Sequence, residues 1–244
     1  MSSAFVKPTG HRYTTAMRFT RLLVTLLLLT GCSVISIDLT PRIQPLREQT
    51  VEGSGAAKIL LMDLSGVISE EPPVSLGSSD SRVSLLARVR EELKKAEEDE
   101  RIRALVLRIN SPGGTATASD ILYHEILAFK ERRRIPIVAT IMDVGASGGY
   151  YVALAADTIV AHPTTVTGSI GVMMLTINAE GLLGKVGIAP LTIKSGEKKD
   201  MGAPFRGLTP EERAAFQSVI DELQSRFVSL ISKERTLPLA RVRA

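Results

Sequence analysis

Asp143 to Tyr151, DVGASGGYY, sets a single serine, Ser147, among glycines and an alanine directly after an apolar run. Ile137 to Ile141 (IVATI) reads as a short buried strand, and the residues from Gly148 onward carry small and apolar side chains at helical spacing. Ser147 is therefore predicted at a strand-to-helix turn. Gly145, Ala146, Gly148 and Gly149 let the backbone bend sharply there, and the first N–H groups of the helix point at any oxyanion formed beside the hydroxyl. Such geometry suits acyl transfer. The same small residues would also let a helix pack tightly on a sheet, so this stretch alone supports both readings.

Outward from it, the pattern of strand, glycine loop and helix repeats. Lys58 to Leu64 (KILLMDL) reads as a buried strand, followed by a turn-rich segment through Pro72, Pro73 and Gly77 to Asp80. Val83, Leu86, Val89, Leu93 and Ala96 recur at helical intervals, opposite a solvated face of Arg88, Glu92, Lys95 and Glu98. Ala104 to Ile109 (ALVLRI) is a second strand, followed by Asn110 to Gly114 (NSPGG) and a helix holding Ile121, Leu122, Ile126, Leu127 and Phe129. After the Ser147 turn come a strand at Thr158 to Ala161, the loop His162 to Val172 (HPTTVTGSIGV) and a strand at Leu191 to Lys194. The last element starts at Thr209, an N-cap with Pro210 at the first helical position and Glu212 completing a capping box; Phe216, Ile220, Leu223, Phe227 and Leu230 form its buried stripe. This alternation predicts an α/β domain with a mostly parallel sheet, its site beyond the carboxyl ends of the strands.

The 244 residues are 44% hydrophobic, enough for one substantial core. The net charge of +4 comes from the N-terminus: four of the 30 basic residues, Lys7, Arg12, Arg18 and Arg21, precede Cys32 with no acidic residue among them, and the remaining 26 face 26 acidic residues. A balanced body offers no electrostatic case for a nucleic-acid partner. Cys32 is the only cysteine, which excludes an internal disulfide and a CxxC metal site. Arg18 and Arg21, the apolar run Leu22 to Leu29, and then Thr30, Gly31 and Cys32 make a leader too short to span a bilayer as a helix. Its LLTGC ending resembles the lipobox of bacterial lipoproteins, which implies lipidation at Cys32 and an envelope location outside the cytoplasm. Met17 would make a more usual start for such a leader. The expected organisation is a signal peptide over 1–31, a tether over 32–57, a catalytic domain over 58–237 and a short tail over 238–244.

A serine nucleophile needs a base. Of three histidines, His11 lies in the leader and His124 on a predicted helix, which leaves His162 at a strand end. Lysine serves where burial keeps its amine neutral, and Lys194 to Asp200 (KSGEKKD) offers Lys194, Lys198 and Lys199. Composition alone leaves these candidates open.

From Lys58 to about Leu237 the chain resembles the serine peptidase family typified by signal peptide peptidase A, a Ser–Lys dyad branch of the crotonase/Clp-like α/β superfamily. Four ordered motifs carry the resemblance: Ser111 to Gly114 (SPGG), Ala146 to Tyr151 (ASGGYY), Thr167 to Val172 (TGSIGV) and Ile193 to Asp200 (IKSGEKKD). It implies Ser147 as nucleophile, Lys199 as general base, backbone N–H groups of Gly114 and Gly148 as oxyanion donors, and Ser169 as the hydroxyl that orients the lysine. It further implies extended apolar peptide substrates such as released signal peptides, no cofactor or metal, and a homo-oligomer. Family members run several dozen residues past the point where this sequence stops, so a truncated lipoprotein acting in binding or assembly is the second expectation. A crotonase-type acyl-CoA enzyme is the third, with Glu125, Asp143 and Glu180 as its available carboxylates.

Overall fold

Three long apolar strands dictate the architecture, because each must bury one face and each is followed by a helix able to cover it. The computed structural model describes residues 46–72 and 83–243. The leader, Cys32, the start of the tether and most of the loop after Pro72 lie outside the described residues. Residues 46–57 form neither helix nor strand and are almost wholly exposed. The elements in order are β1 (Lys58–Ser65), α1 (Leu85–Glu97), β2 (Ile102–Ser111), α2 (Ala116–Arg133), β3 (Ile137–Ala146), α3 (Gly148–Ala153), β4 (Thr158–Ala161), β5 (Val166–Gly168), α4 (Glu180–Lys185), a 3-10 turn (Glu197–Asp200), α5 (Pro210–Glu234) and α6 (Leu239–Arg243).

Every strand pairing is parallel, in the order β1-β2-β3-β4, and β5 pairs with the far end of β3. The predicted α/β class with a parallel sheet and flanking helices is what the structure shows. Alternation along the strands splits their side chains between two faces. Met62 and Leu64 of β1, Leu105, Leu107 and Ile109 of β2, and Ile137 and Ala139 of β3 join Val89 and Leu93 of α1, Leu122, Ile126 and Phe129 of α2 and Val152 of α3 in one core. The opposite face runs through Ile59, Leu61, Met142 and Val160, all exposed, with Arg108 paired to Asp63.

The helix ends follow their sequence signals. Ser84 and Thr115 cap α1 and α2 through their side chains, and Thr209 with Glu212 forms the predicted capping box of α5. Two expectations fail. Leu191 to Lys194 is not a strand: it pairs with none among the described residues, and its apolar side chains stand in solvent, Leu191 at 87% and Ile193 at 93% exposure. The α5 stripe is only partly buried. Phe227 is enclosed with Val228 and Ile231, whereas Phe216, which lies against Gly202, and Ile220, Leu223 and Leu230 remain half-exposed.

Candidate active site

β3 runs five residues beyond the predicted IVATI segment, to Ala146, and delivers Ser147 to the turn that opens α3. Ser147 adopts φ 50° and ψ −121°. A non-glycine residue at positive φ is costly, by about 1–3 kcal/mol, and persists only where its surroundings hold it. Here the Ser147 N–H donates to Gly168 O at 2.8 Å and its carbonyl accepts from Tyr151 N–H at 2.9 Å. β5 pairing Ala146 with Gly168 completes the clamp. Ser147 occupies the N-cap position of α3 but makes no side-chain capping bond, so its hydroxyl is not spent on the helix. The serine is half-exposed between buried neighbours, Ala146 and Gly148.

The SPGG loop closes over the same turn. Buried Ser111 donates its hydroxyl to Gly66 O at 2.6 Å and accepts from Gly113 N–H at 3.1 Å. Ile68 grips the loop on both sides, donating to Gly113 O and accepting from Thr115 N–H, each at 2.9 Å. Gly113 has φ 104°, and a Cβ there would stand 2.7 Å from Gly148 N and 2.8 Å from the Ser147 Cβ. A Cβ on Gly148 would meet Ser119 Oγ at 2.2 Å and Gly114 N at 3.2 Å. The two sequence-predicted oxyanion donors, Gly114 and Gly148, are thus neighbours across the serine turn. Neither N–H has a hydrogen-bond acceptor among the described residues. Two unpaired amides flanking a serine are what stabilisation of a tetrahedral oxyanion requires.

The base side is arranged differently. Ser169 follows Gly168, the acceptor for the Ser147 N–H, and sits at φ 51° with its side chain exposed. Lys199 lies on the exposed 3-10 turn, and among the described residues its ammonium makes no hydrogen bond or ion pair. The structure brings Ser147, Gly114, Gly148 and the Ser169 backbone together, but among the described residues no hydrogen bond joins Lys199 to Ser147 or Ser169. Lys194 is already committed, donating to Glu197 O at 2.8 Å and Asp200 Oδ1 at 2.6 Å. Of the three lysines, Lys198 and Lys199 stay uncommitted. His162 is turned to Thr164, and His124 lies on the exposed side of α2.

A group that sequence reasoning missed anchors the lysine turn. Arg206 donates to Asp200 Oδ1 at 3.0 Å and Oδ2 at 3.1 Å, and to buried Glu212 at 2.9 and 2.5 Å. Hydrogen bonds from Arg206, then Lys194, hold the Asp200 carboxyl far below its ordinary range, and Glu212 and Asp200 push Arg206 up. Asp200 adjoins Lys199 and Glu212 caps α5, so the capping box carries the turn with it. The clue available in sequence was the capping box alone.

The three carboxylates weighed for acyl-CoA chemistry are scattered. Glu125 pairs with Arg90, Glu180 accepts from Gly207 N–H and Asp143 is exposed near Asn110. They form no common arrangement around the oxyanion amides.

Residues 129–244 match the family described as peptidase family S49. The chain is 35% identical over 193 residues to a protein assigned as signal peptide peptidase SppA from Enterococcus faecium, covering 78% of this chain and 55% of that one. It is 37% identical over 150 residues to the serine protease SPPA, chloroplastic, of Arabidopsis thaliana, covering 61% of this chain and 22% of that one. Among solved structures it is similar to a ClpP1 mutant from Listeria monocytogenes, with a TM-score of 0.45 and 16% identity, covering 75% of this chain and 76% of that chain. The chain spans about half the length of the first curated relatives it matches.

Proposed function

We propose, from the match of residues 129–244 to peptidase family S49, that this chain is a serine endopeptidase in which Ser147 attacks a peptide carbonyl and Lys199 acts as general base. The neutral Lys199 amine takes the Ser147 proton as Oγ bonds to the carbonyl carbon. The oxyanion is held by the Gly114 and Gly148 N–H groups, and Ser169 orients the lysine. The lysine ammonium then protonates the leaving amine, and water, deprotonated by the same lysine, releases the acyl group and restores the serine. Neither a metal nor a cofactor enters these steps. The observation that carries the reading is the strained Ser147 turn with two unpaired amides beside it.

The base must be carried to the serine. Lys199 sits on a turn anchored by Arg206 and preceded by exposed Met173, Leu175, Ile177, Leu191 and Ile193. An apolar surface of that kind supports association of copies that covers it and encloses the lysine, whose amine must be desolvated to be neutral and free to accept a proton. The substrates in this reading are extended apolar peptides, including released signal peptides. The Cys32 leader tethers the domain to a membrane outside the cytoplasm, with residues 32–57 as the tether and 58–237 as the peptidase domain.

The test is labelling of the full-length chain by an alkyl fluorophosphonate. Wild type should label at Ser147, identified by peptide mass, and Ser147→Ala should not label while keeping its circular dichroism and melting temperature. A folded wild type that stays unlabelled sinks the peptidase reading and favours the binding or assembly protein.

A further inference from the structure

Behind the serine turn, three helices converge on one carboxylate that the proposed chemistry does not use. Asp120, in the second turn of α2, accepts from the Tyr151 hydroxyl of α3 at 2.5 Å. It also accepts from Arg226 of α5, at 2.8 and 3.2 Å on Oδ1 and 3.0 Å on Oδ2. The Tyr151 ring is buried, edge-on to Tyr123 at 5.8 Å and against Phe227 of α5 at 5.0 Å. Packing fixes the ring, and the carboxylate fixes its hydroxyl.

The position of this carboxylate matters because α2 and α3 each begin at an oxyanion amide. Gly114 directly precedes Thr115, the N-cap of α2, and Gly148 is the first residue of α3. Ser119, the residue before Asp120, is bonded back to the cap by its N–H at 3.1 Å and its hydroxyl at 2.9 Å, both to Thr115 O. Its Oγ also faces Gly148, close enough to exclude a Cβ there. Tyr151 in turn donates its N–H to Ser147 O. The Tyr151–Asp120 bond is the one side-chain hydrogen bond joining α2 to α3 among the described residues. A slide of one helix along the other would therefore change the separation of the Gly114 and Gly148 amides, and this bond resists it.

We propose that Asp120 and Tyr151, braced by Arg226, are positioning residues that set the spacing of the two oxyanion amides and thereby the rate of acylation at Ser147, without touching substrate. The proposal rests on the reading of Ser147 as nucleophile. Burial would raise the Asp120 carboxyl, but the bonds from Tyr151 and Arg226 outweigh it and keep the group below its usual range. Burial, reinforced by the Asp120 bond, pushes the Tyr151 phenol up to about 12. An anionic acceptor and a phenol that keeps its proton suit a fixed brace rather than a proton relay.

The experiment is a double-mutant cycle on the full-length chain, read as the maximal rate and half-saturating concentration of inactivation by the fluorophosphonate probe. Tyr151→Phe keeps the packed ring and removes only the brace. It should slow maximal inactivation roughly 10- to 100-fold, as small misplacements of reacting groups do, with the half-saturating concentration unchanged. Asp120→Ala should match it, and the double variant should be no slower than either single. Asp120→Asn, which still accepts from the phenol but loses its charge toward Arg226, should fall between wild type and Asp120→Ala. A merely structural bond would lower the melting temperature and leave the folded protein's maximal rate untouched. That result in Tyr151→Phe, or multiplicative losses in the double variant, overturns the proposal while leaving the nucleophile reading intact. An unlabelled wild type would remove both.

Discussion

The serine half and the lysine half of this molecule are built on opposite terms. Between Met62 and Ala155 lie nearly all the buried apolar side chains, and the strained Ser147 turn is wedged among them. From residue 156 to residue 211 no residue is buried, and Met173, Leu175, Leu191 and Ile193 are each more than 80% exposed. Full burial of one such side chain stabilises by about 1.5–3 kcal/mol, so a chain that leaves four in water forgoes a large driving force. The proposed nucleophile and its oxyanion amides are thus assembled within one chain, whereas the proposed base sits on a surface left open to solvent. Packing holds the first region; charges hold the second, through Arg206, Asp200, Glu212 and Lys194.

The sharpest way to break that contrast is to ask which lysine the serine needs. Lys199→Ala should lower fluorophosphonate labelling by roughly 10²–10⁴-fold, the usual contribution of a general base. Lys198→Ala should change it little. Lys194→Ala should act weakly, because Lys194 is committed to Asp200 and Glu197. Second-order labelling rates for the three variants settle the order. A dominant effect of Lys198→Ala would move the base by one residue, and equal labelling of all three with wild type would detach the lysine turn from catalysis.

The same division explains what could be read from the sequence. β1, β2 and β3 are apolar runs flanked by glycine loops, and the capping box announces α5, so these elements stand where periodicity puts them. The Ser147 turn was legible too, because a serine between glycines at a strand end leaves few geometries. The misses are all long-range. Leu191 to Lys194 carries strand-like residues but has no strand to pair with, since ladder bonds depend on neighbours that local sequence does not name. β5, only three residues within the predicted loop His162 to Val172, exists because β3 extends far enough to receive it. Phe216 and Ile220 have the right spacing for burial yet stay half-exposed, because spacing along one helix does not say what packs against it. The contacts of Asp120 with Tyr151 and Arg226, 31 and 106 residues away, have no periodic signature at all.

If the exposed arm is completed by another copy, charging it should separate the halves. Met173→Glu with Leu175→Glu places two carboxylates where an apolar contact would form, without touching the core around Ser147. The expected outcome is a smaller sedimenting species and a labelling rate about tenfold below wild type at low protein concentration, recovering as concentration rises by mass action. Sedimentation velocity and labelling on the same samples make the comparison. A wild type that is monomeric and labels at a concentration-independent rate would show that the lysine reaches Ser147 within one chain.

The smallest effect concerns acid. Asp200 has its carboxyl lowered by hydrogen bonds from Arg206 and then Lys194. A carboxylate lowered in the folded state stabilises above its unfolded pKa, near 3.8 here, and that contribution is lost as pH falls from there toward the folded value. Because charge rather than packing anchors this turn, the exchange protection of amides in residues 194–206, relative to their intrinsic rates, should fall below about pH 4 while the Leu105–Ile109 strand stays protected. Arg206→Gln removes the stronger of the two partners, so its turn should loosen at a higher pH than wild type. Identical acid profiles for wild type and Arg206→Gln would mean that the guanidinium does not hold the turn, and that the lysine half owes its shape to the α5 cap instead.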